Sequence, residues 1–135
     1  MPVALEIVSP ERLLLARQVD MVVIPAYEGE LGVLPGHALM IVLLRGGEIR
    51  LYQANEVTDR LYVSGGFAEI TPERCTVLAT EALPLAEVSK AEAERRLAAA
   101  EEAYVAADKQ DIPAVDAATD RIQSARAMLE LAQAA

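Results

Sequence analysis

All seven glycines of this 135-residue chain lie at or before Gly66. Up to residue 85, short apolar runs alternate with turns rich in glycine, proline, asparagine and serine, whereas alanine, glutamate and arginine dominate after Pro84. Glycine and proline interrupt regular structure, and alanine favours helices. The sequence therefore predicts an α+β protein in which a β domain (residues 1–85) precedes a helical domain (residues 86–135).

About eight short strands are indicated in the first domain. Leu5 and Ile7 flank Glu6, and Ile49 and Leu51 flank Arg50, so apolar and charged residues alternate as in half-buried strands. No helical pattern separates these runs, which argues against a parallel α/β sheet. Regularly spaced short strands are typical of a sandwich or barrel.

The run at residues 38–44 is apolar throughout. We predict a strand buried on both faces, with a short buried helix as the alternative. The run is far shorter than the roughly 20 residues of a membrane-spanning helix. The N-terminus lacks the basic and long apolar regions of a signal peptide.

Residues 28–37 form the most distinctive loop, with three glycines, a proline, two carboxylates and the only histidine. Glycine and proline restrict the backbone to particular turns. We predict a turn of fixed shape that exposes Glu28, Glu30 and His37. An ordinary connection between strands is the alternative.

Two helices are predicted in the second domain. Ser89 and Glu92 have the spacing of a capping box, and Glu92 and Arg96 that of an ion pair. Apolar stripes with helical spacing follow on either side of a polar tip at residues 108–111: Ala93, Leu97, Ala100, Tyr104 and Ala107, then Val115, Ala118, Ile122, Ala125, Leu129 and Ala132. Alanine buries little area, so this antiparallel hairpin is expected to pack on the β domain, a partner or a ligand.

Composition favours a protein partner. The net charge of −9 disfavours binding to nucleic acid or to anionic lipid, because both require basic patches. Cys75 and His37 are single and far apart in sequence, so no metal site or nucleophilic constellation is indicated, and Cys75 is expected to be a buried thiol. We expect a non-catalytic binding or regulatory protein without a cofactor.

Four segments, in order and at matching spacing, resemble the epsilon subunit of F-type ATP synthases: residues 7–11, 28–38, 62–69 and 77–79. The resemblance implies a ten-stranded β sandwich followed by two C-terminal helices. It also implies a non-catalytic place in the central rotor, where epsilon binds the gamma subunit, sits on the ring of c subunits and couples proton-driven rotation to ATP synthesis. The implied location is the cytoplasmic face of the bacterial inner membrane, peripheral and held there through the complex.

The resemblance also assigns residues to contacts. Glu30, with Glu28 nearby, matches a position beside the c ring, and Ser9 and His37 match positions close to gamma. In family members that strongly inhibit ATP hydrolysis, the helices extend to the alpha and beta subunits, where basic residues of the second helix face acidic surfaces. The second helix here offers only Arg121 and Arg126 as cations, so we expect weak or absent electrostatic inhibition.

Some bacterial members bind ATP between the sandwich and the helices. Glu87 and Lys90 stand where those members have aspartate and arginine, and lysine lacks the bidentate fork of arginine. The two residues are candidate nucleotide-binding residues, but we do not expect tight binding. A nucleotide sensor whose hairpin folds on ATP is the second interpretation of this chain. A small β-sandwich enzyme is the third, although the sequence offers no machinery for it.

Overall fold

A computed structural model describes residues 2–134, which form ten strands, one short 3-10 turn and two helices. The strands are β1 (Val3–Val8), β2 (Leu13–Val19), β3 (Met21–Ala26), β4 (Gly29–Val33), β5 (Met40–Leu44), β6 (Gly47–Gln53), β7 (Glu56–Val63), β8 (Gly66–Ile70), β9 (Arg74–Ala79) and β10 (Ala82–Pro84). The 3-10 turn is Leu85–Glu87, and the helices are α1 (Lys90–Ala106) and α2 (Ile112–Ala134).

The strands follow one hydrogen-bonded path, β10-β7-β6-β3-β5-β8-β9-β1-β2, with β4 paired to β3. Neighbouring strands are antiparallel except for β1 and β9, which run parallel. The path folds over one core, into which β1 points Val3, Leu5 and Ile7. The predicted β sandwich followed by two helices is confirmed.

Gly66 marks a place where the chain requires glycine. Its φ is +128°, and a Cβ there would lie 2.1 Å from the carbonyl oxygen of Leu78. Only glycine combines this backbone angle with such a close approach. Gly66 therefore begins β8 and lets this strand pair closely with β9.

Two sequence predictions are corrected by the fold. The run at residues 38–44 contains a strand, β5, but it is not buried on both faces: Ile41 and Leu43 are 69% and 65% exposed. The segment at residues 28–37 is not a turn throughout, because β4 occupies Gly29–Val33 and pairs with β3. The physical reason in both cases is sheet geometry, which gives β5 an uncovered outer face and uses the glycine-rich segment as a strand of a hairpin.

The helix signals are confirmed with one difference. The Ser89 hydroxyl accepts the first-turn N–H of Glu92 at 3.2 Å, and the Asp111 carboxylate accepts the N–H of Ala114 at 3.3 Å. The Glu92 carboxylate does not return to Ser89; it binds Arg95 and Arg96. The predicted pair between Glu92 and Arg96 is thus present, and only half of the capping box forms.

The hairpin packs against the sandwich along a surface that we call the hairpin seam, formed by the turn before β6, the end of β7 and the middle of α2. The side-chain amide of Gln123 donates to the Gly46 carbonyl at 2.7 Å and accepts its N–H at 2.8 Å. The Ser124 hydroxyl donates to the carbonyl of Ser64 at 2.5 Å, and the Tyr62 hydroxyl donates to the carbonyl of Ser124 at 3.1 Å. The predicted support for the alanine-rich hairpin therefore comes from the β domain.

Candidate partner-docking surfaces

The outward sides of β5, β8, β9 and β1 form one continuous surface, the outer face. Strand register arranges its side chains in two rows across the sheet. The apolar row contains Leu43, Phe67, Leu78 and Val8, with Leu13 of β2 next in line. The second row contains Ile41, Glu69, Thr76 and Glu6. Alternation along each strand sends the intervening residues into the core.

Large apolar side chains of the outer face are open to solvent. Leu43 is 65% exposed, Ile41 69%, Leu13 56% and Phe67 41%. Monomeric proteins rarely expose contiguous apolar patches of this kind unless the patch binds something. The outer face is therefore the strongest candidate for a protein-binding surface.

The two residues expected near gamma lie at opposite ends of this face. Ser9 follows β1 at the end where β5 finishes, and its hydroxyl donates to the carbonyl of Arg12 at 3.3 Å. His37 precedes β5, and its Nδ1 donates to the carbonyl of Ala38 at 2.8 Å. Both side chains are at least partly accessible. Five-residue strands such as β5 and β8 span roughly 17 Å, so Ser9 and His37 bracket the outer face rather than forming one site.

Glu28 and Glu30 lie on the β3–β4 hairpin. Glu28 is exposed in the turn. Glu30 is on β4, where its carboxylate accepts two hydrogen bonds from Arg50 of β6, at 2.7 and 3.1 Å. These bonds hold the pKa of Glu30 below its ordinary value. The Glu30 side chain is still 58% exposed, so it presents a fixed, ionised carboxylate rather than a mobile one.

Glu87 and Lys90 lie apart from the cleft between sandwich and helices. Both are exposed, and Lys90 faces Glu94 at 3.9 Å across one helical turn. The cleft itself is lined instead by Tyr62, Glu81, Arg95, Arg96, Arg121 and Ser124, among others. Arg96 is already bound to Glu81 through two hydrogen bonds, at 2.5 and 2.9 Å. The two residues singled out by the sequence are therefore not part of the cleft lining.

No cluster of three or more histidine, cysteine, aspartate or glutamate side chains is placed to hold a metal ion between residues 2 and 134. Cys75 is buried as predicted, and burial raises the pKa of its thiol to about 12. A thiol of this kind is unreactive at neutral pH. None of the helices described is long and apolar enough to cross a membrane.

The sequence predictions include neither the outer face nor the pairing of Glu30 with Arg50. A signal for the first was present, because the run at residues 38–44 is more apolar than a strand covered on one face requires. The prediction of burial on both faces rests on that excess. No local signal points to the ion pair, since Glu30 and Arg50 are 20 residues apart.

Comparison with known proteins identifies the family. Residues 2–85 match the family described as ATP synthase, Delta/Epsilon chain, beta-sandwich domain. A protein named ATP synthase epsilon chain from Granulibacter bethesdensis is 72% identical over 130 residues, covering 96% of each chain. One of the same name from Gluconacetobacter diazotrophicus is 48% identical over 132 residues, covering 98% of this chain and 94% of the relative.

Solved structures agree on the fold. One is a chain of the Euglena gracilis mitochondrial ATP synthase, from a structure of its OSCP/F1/c-ring, which superposes with a TM-score of 0.76 at 23% sequence identity. The superposition covers 98% of this chain and 81% of the Euglena chain. A chain of the Tetrahymena thermophila mitochondrial ATP synthase central stalk and c ring gives 0.66 at 13% identity, covering 98% and 97%. With the family match and the sequence identities, these observations establish that the chain belongs to the epsilon-chain family of ATP synthases.

Proposed function

We propose that this chain is a non-catalytic subunit of the ATP synthase rotor that links the gamma subunit to the c ring. The observation that carries the proposal is the exposed apolar row of the outer face. Its members Leu43 and Phe67 are 65% and 41% exposed in the free chain, and an apolar surface of this kind is stabilised when a partner covers it. The family resemblance supports gamma as that partner.

The β3–β4 hairpin is the proposed contact with the c ring. Glu28 and Glu30 project from it, and the Arg50 side chain fixes the carboxylate of Glu30. A preorganised charge loses less conformational entropy on binding than a mobile one. The chain would thus be held at the cytoplasmic face of the bacterial inner membrane by protein contacts.

A regulatory role belongs to the same proposal, in a limited form. If α1 and α2 left the sandwich and reached the alpha and beta subunits, α2 would present two cations and three carboxylates: Arg121, Arg126, Asp116, Asp120 and Glu130. The carboxylates of α2 would repel acidic surfaces on those subunits and oppose docking. We therefore propose coupling as the main function and strong inhibition of ATP hydrolysis as absent.

The gamma contact is tested by binding of the full chain to an ATP synthase catalytic complex that contains alpha, beta and gamma but lacks epsilon. Leu43→Ser with Phe67→Ser should weaken binding by at least tenfold, because two apolar side chains lose the burial they gain in the complex. Val105→Ser is the matched control, since Val105 is 78% exposed but lies at the end of α1, away from the outer face. Equal binding by the double variant and wild type would overturn the proposal.

Cross-linking tests the individual positions. Ser9→Cys and His37→Cys should each cross-link to gamma in the assembled enzyme, and Glu28→Cys to a c subunit. The native Cys75 need not be removed, because it is buried and its thiol has a pKa of about 12. Cross-links from Ser9→Cys and His37→Cys to a subunit other than gamma would contradict the assignment of this face.

A further inference from the structure

The second row of the outer face carries two carboxylates that have no ion-pair partner among residues 2–134. Glu69 and Glu6 flank Thr76 on adjacent strands. Strands are about 4.8 Å apart, so the two carboxylates project from backbones roughly 10 Å apart. Arg74 lies two residues from Thr76 on β9 and forms no ion pair with either carboxylate in the described chain.

These carboxylates lie beside the apolar row. On β8, Glu69 is two residues from Phe67, and on β1, Glu6 is two residues from Val8. Two residues along a strand span about 7 Å. A partner that covers the apolar row therefore also removes water from around Glu69 and Glu6. Desolvating a carboxylate is costly unless a cation or hydrogen-bond donors replace the water.

We propose that the partner surface seated on the outer face carries a basic side chain, lysine or arginine, over Thr76 between Glu69 and Glu6, next to an apolar ridge that covers the Leu43 row. A cation at that position lies about 5 Å, one strand spacing, from each flanking strand and reaches both carboxylates. The inference rests on the proposed function, in which the partner is gamma, and adds the chemistry of the contact.

A second copy of this chain fits the outer face poorly. The chain carries a net charge of −9, and self-association through this face would bring Glu69 and Glu6 against an equally acidic surface. Like charges brought together in an interface oppose association. A basic partner is attracted over a longer range by the same negative charge.

The test is binding of the full chain to the alpha, beta and gamma complex between about 0.01 and about 1 M salt, over which the Debye length falls from about 30 to about 3 Å. Glu6→Gln with Glu69→Gln should weaken binding about five- to tenfold at low salt and flatten the salt dependence, because the charge attraction is lost while the shape is kept. Glu56→Gln is the control. Glu56 is exposed at the start of β7 and off the outer face, and its variant should bind as wild type does.

The outcomes separate the two proposals. If the glutamine variant keeps wild-type affinity and salt dependence while Leu43→Ser with Phe67→Ser loses binding, the basic contact is wrong and the gamma-docking face stands. If the serine variant also binds normally, the docking face is wrong as well. A concentration-dependent dimer of the free chain in sedimentation, abolished by the serine variant, would make the occupant a second copy and overturn the inference.

Discussion

Arg50 determines how the carboxylate of Glu30, the candidate contact on β4, is presented. Its guanidinium binds Glu30 at 2.7 and 3.1 Å and Glu48 at 3.1 Å, and Arg50 Nε donates to the Tyr52 hydroxyl at 3.3 Å. The Arg50 side chain is 21% exposed and that of Glu30 is 58%. An ion pair this open to water adds little stability. Its consequence is orientation, because it fixes where the Glu30 charge is presented.

Replacement of Arg50 is expected to release this carboxylate. In Arg50→Gln the pKa of Glu30 should rise toward its ordinary value of 4.5, because its main hydrogen-bond donor is gone. Since the folded-state pKa is depressed, the pair contributes stability above pH 4.5 and loses it as the pH falls. NMR titration of the Glu30 side chain measures the change. Arg17→Gln, which breaks the pair with Asp59, is the control and should leave the Glu30 pKa where it is.

Tyr62 makes the stability of the hairpin seam fall at high pH. The side chain is 1% exposed, and burial, with the nearby Glu81 charge, raises the pKa of its hydroxyl to about 12. The folded state thus holds this proton more tightly than the unfolded state, so the stabilisation is complete below pH 10 and is lost as the pH rises toward 12. Tyr62→Phe should lose about 1 kcal/mol at neutral pH with its hydrogen bond. Thermal unfolding, followed by circular dichroism at several pH values, should then show that Tyr62→Phe loses less stability above pH 10 than wild type does.

At the scale of elements, α2 is held to the turn before β6 by backbone proximity as much as by side chains. Gly46 is buried, and a Cβ on it would lie 2.5 Å from the Cα of Ser124. The Gln123 amide pairs with both backbone groups of Gly46 in the manner of a neighbouring strand. The helix therefore docks only where the turn has no side chain.

Gly46→Ala is expected to displace the hairpin while the sandwich stays folded, because no rearrangement of a flexible side chain relieves a clash between Cβ and backbone. Amide hydrogen exchange should speed up through α1 and α2 and remain slow in β1 and β9. Gly32→Ala is the matched control, since a Cβ there meets only Met21 Sδ at 3.7 Å. If amide exchange in α2 is as slow in Gly46→Ala as in wild type, the close approach at Gly46 does not hold the hairpin.

At the scale of the whole molecule, the outer face and the surface that contacts the hairpin are different parts of the sandwich. The outer face is formed by β5, β8, β9 and β1, whereas the helices contact mainly β6 and β7. Next to the hydrogen bonds of the hairpin seam lies a small apolar cluster of Tyr62, Ala93 and Met128. Departure of the helices would therefore uncover β6 and β7 more than the strands of the outer face.

Removal of residues 88–135 should change ATP hydrolysis by the assembled enzyme less than twofold. The exposed side chains of α2 include Arg121 and Arg126 but also Asp116, Asp120 and Glu130, so they give no net attraction to acidic catalytic subunits. Steady-state hydrolysis is compared between enzymes assembled with the full and the truncated chain at equal epsilon content. A large rise on truncation would refute the expected absence of inhibition.

The sequence by itself determined the order of β and helical structure. The signals for that order are local: the alternation in β1 and β6, the glycine-bearing turns, the Ser89 cap and the alanine stripes. Strand periods, helix periods and caps involve residues within a few positions of each other. The candidate contacts Glu28, Glu30, Ser9 and His37 came from the family resemblance and not from such signals, and they remain predictions.

Tertiary structure alone decided which apolar and charged residues stay outside. The apolar row exists because β5, β8, β9 and β1 lie side by side, and the parallel pairing of β1 with β9 joins Val8 to Leu78. Likewise, β4 and β6 bring Glu30 to Arg50. Such pairings depend on strand order and register over tens of residues, whereas periodicity reports only which side of a strand a residue occupies. The prediction of a strand within residues 38–44 is therefore confirmed at Met40–Leu44, and the prediction that both of its faces are buried is wrong, because the path of the sheet leaves one face of β5 uncovered.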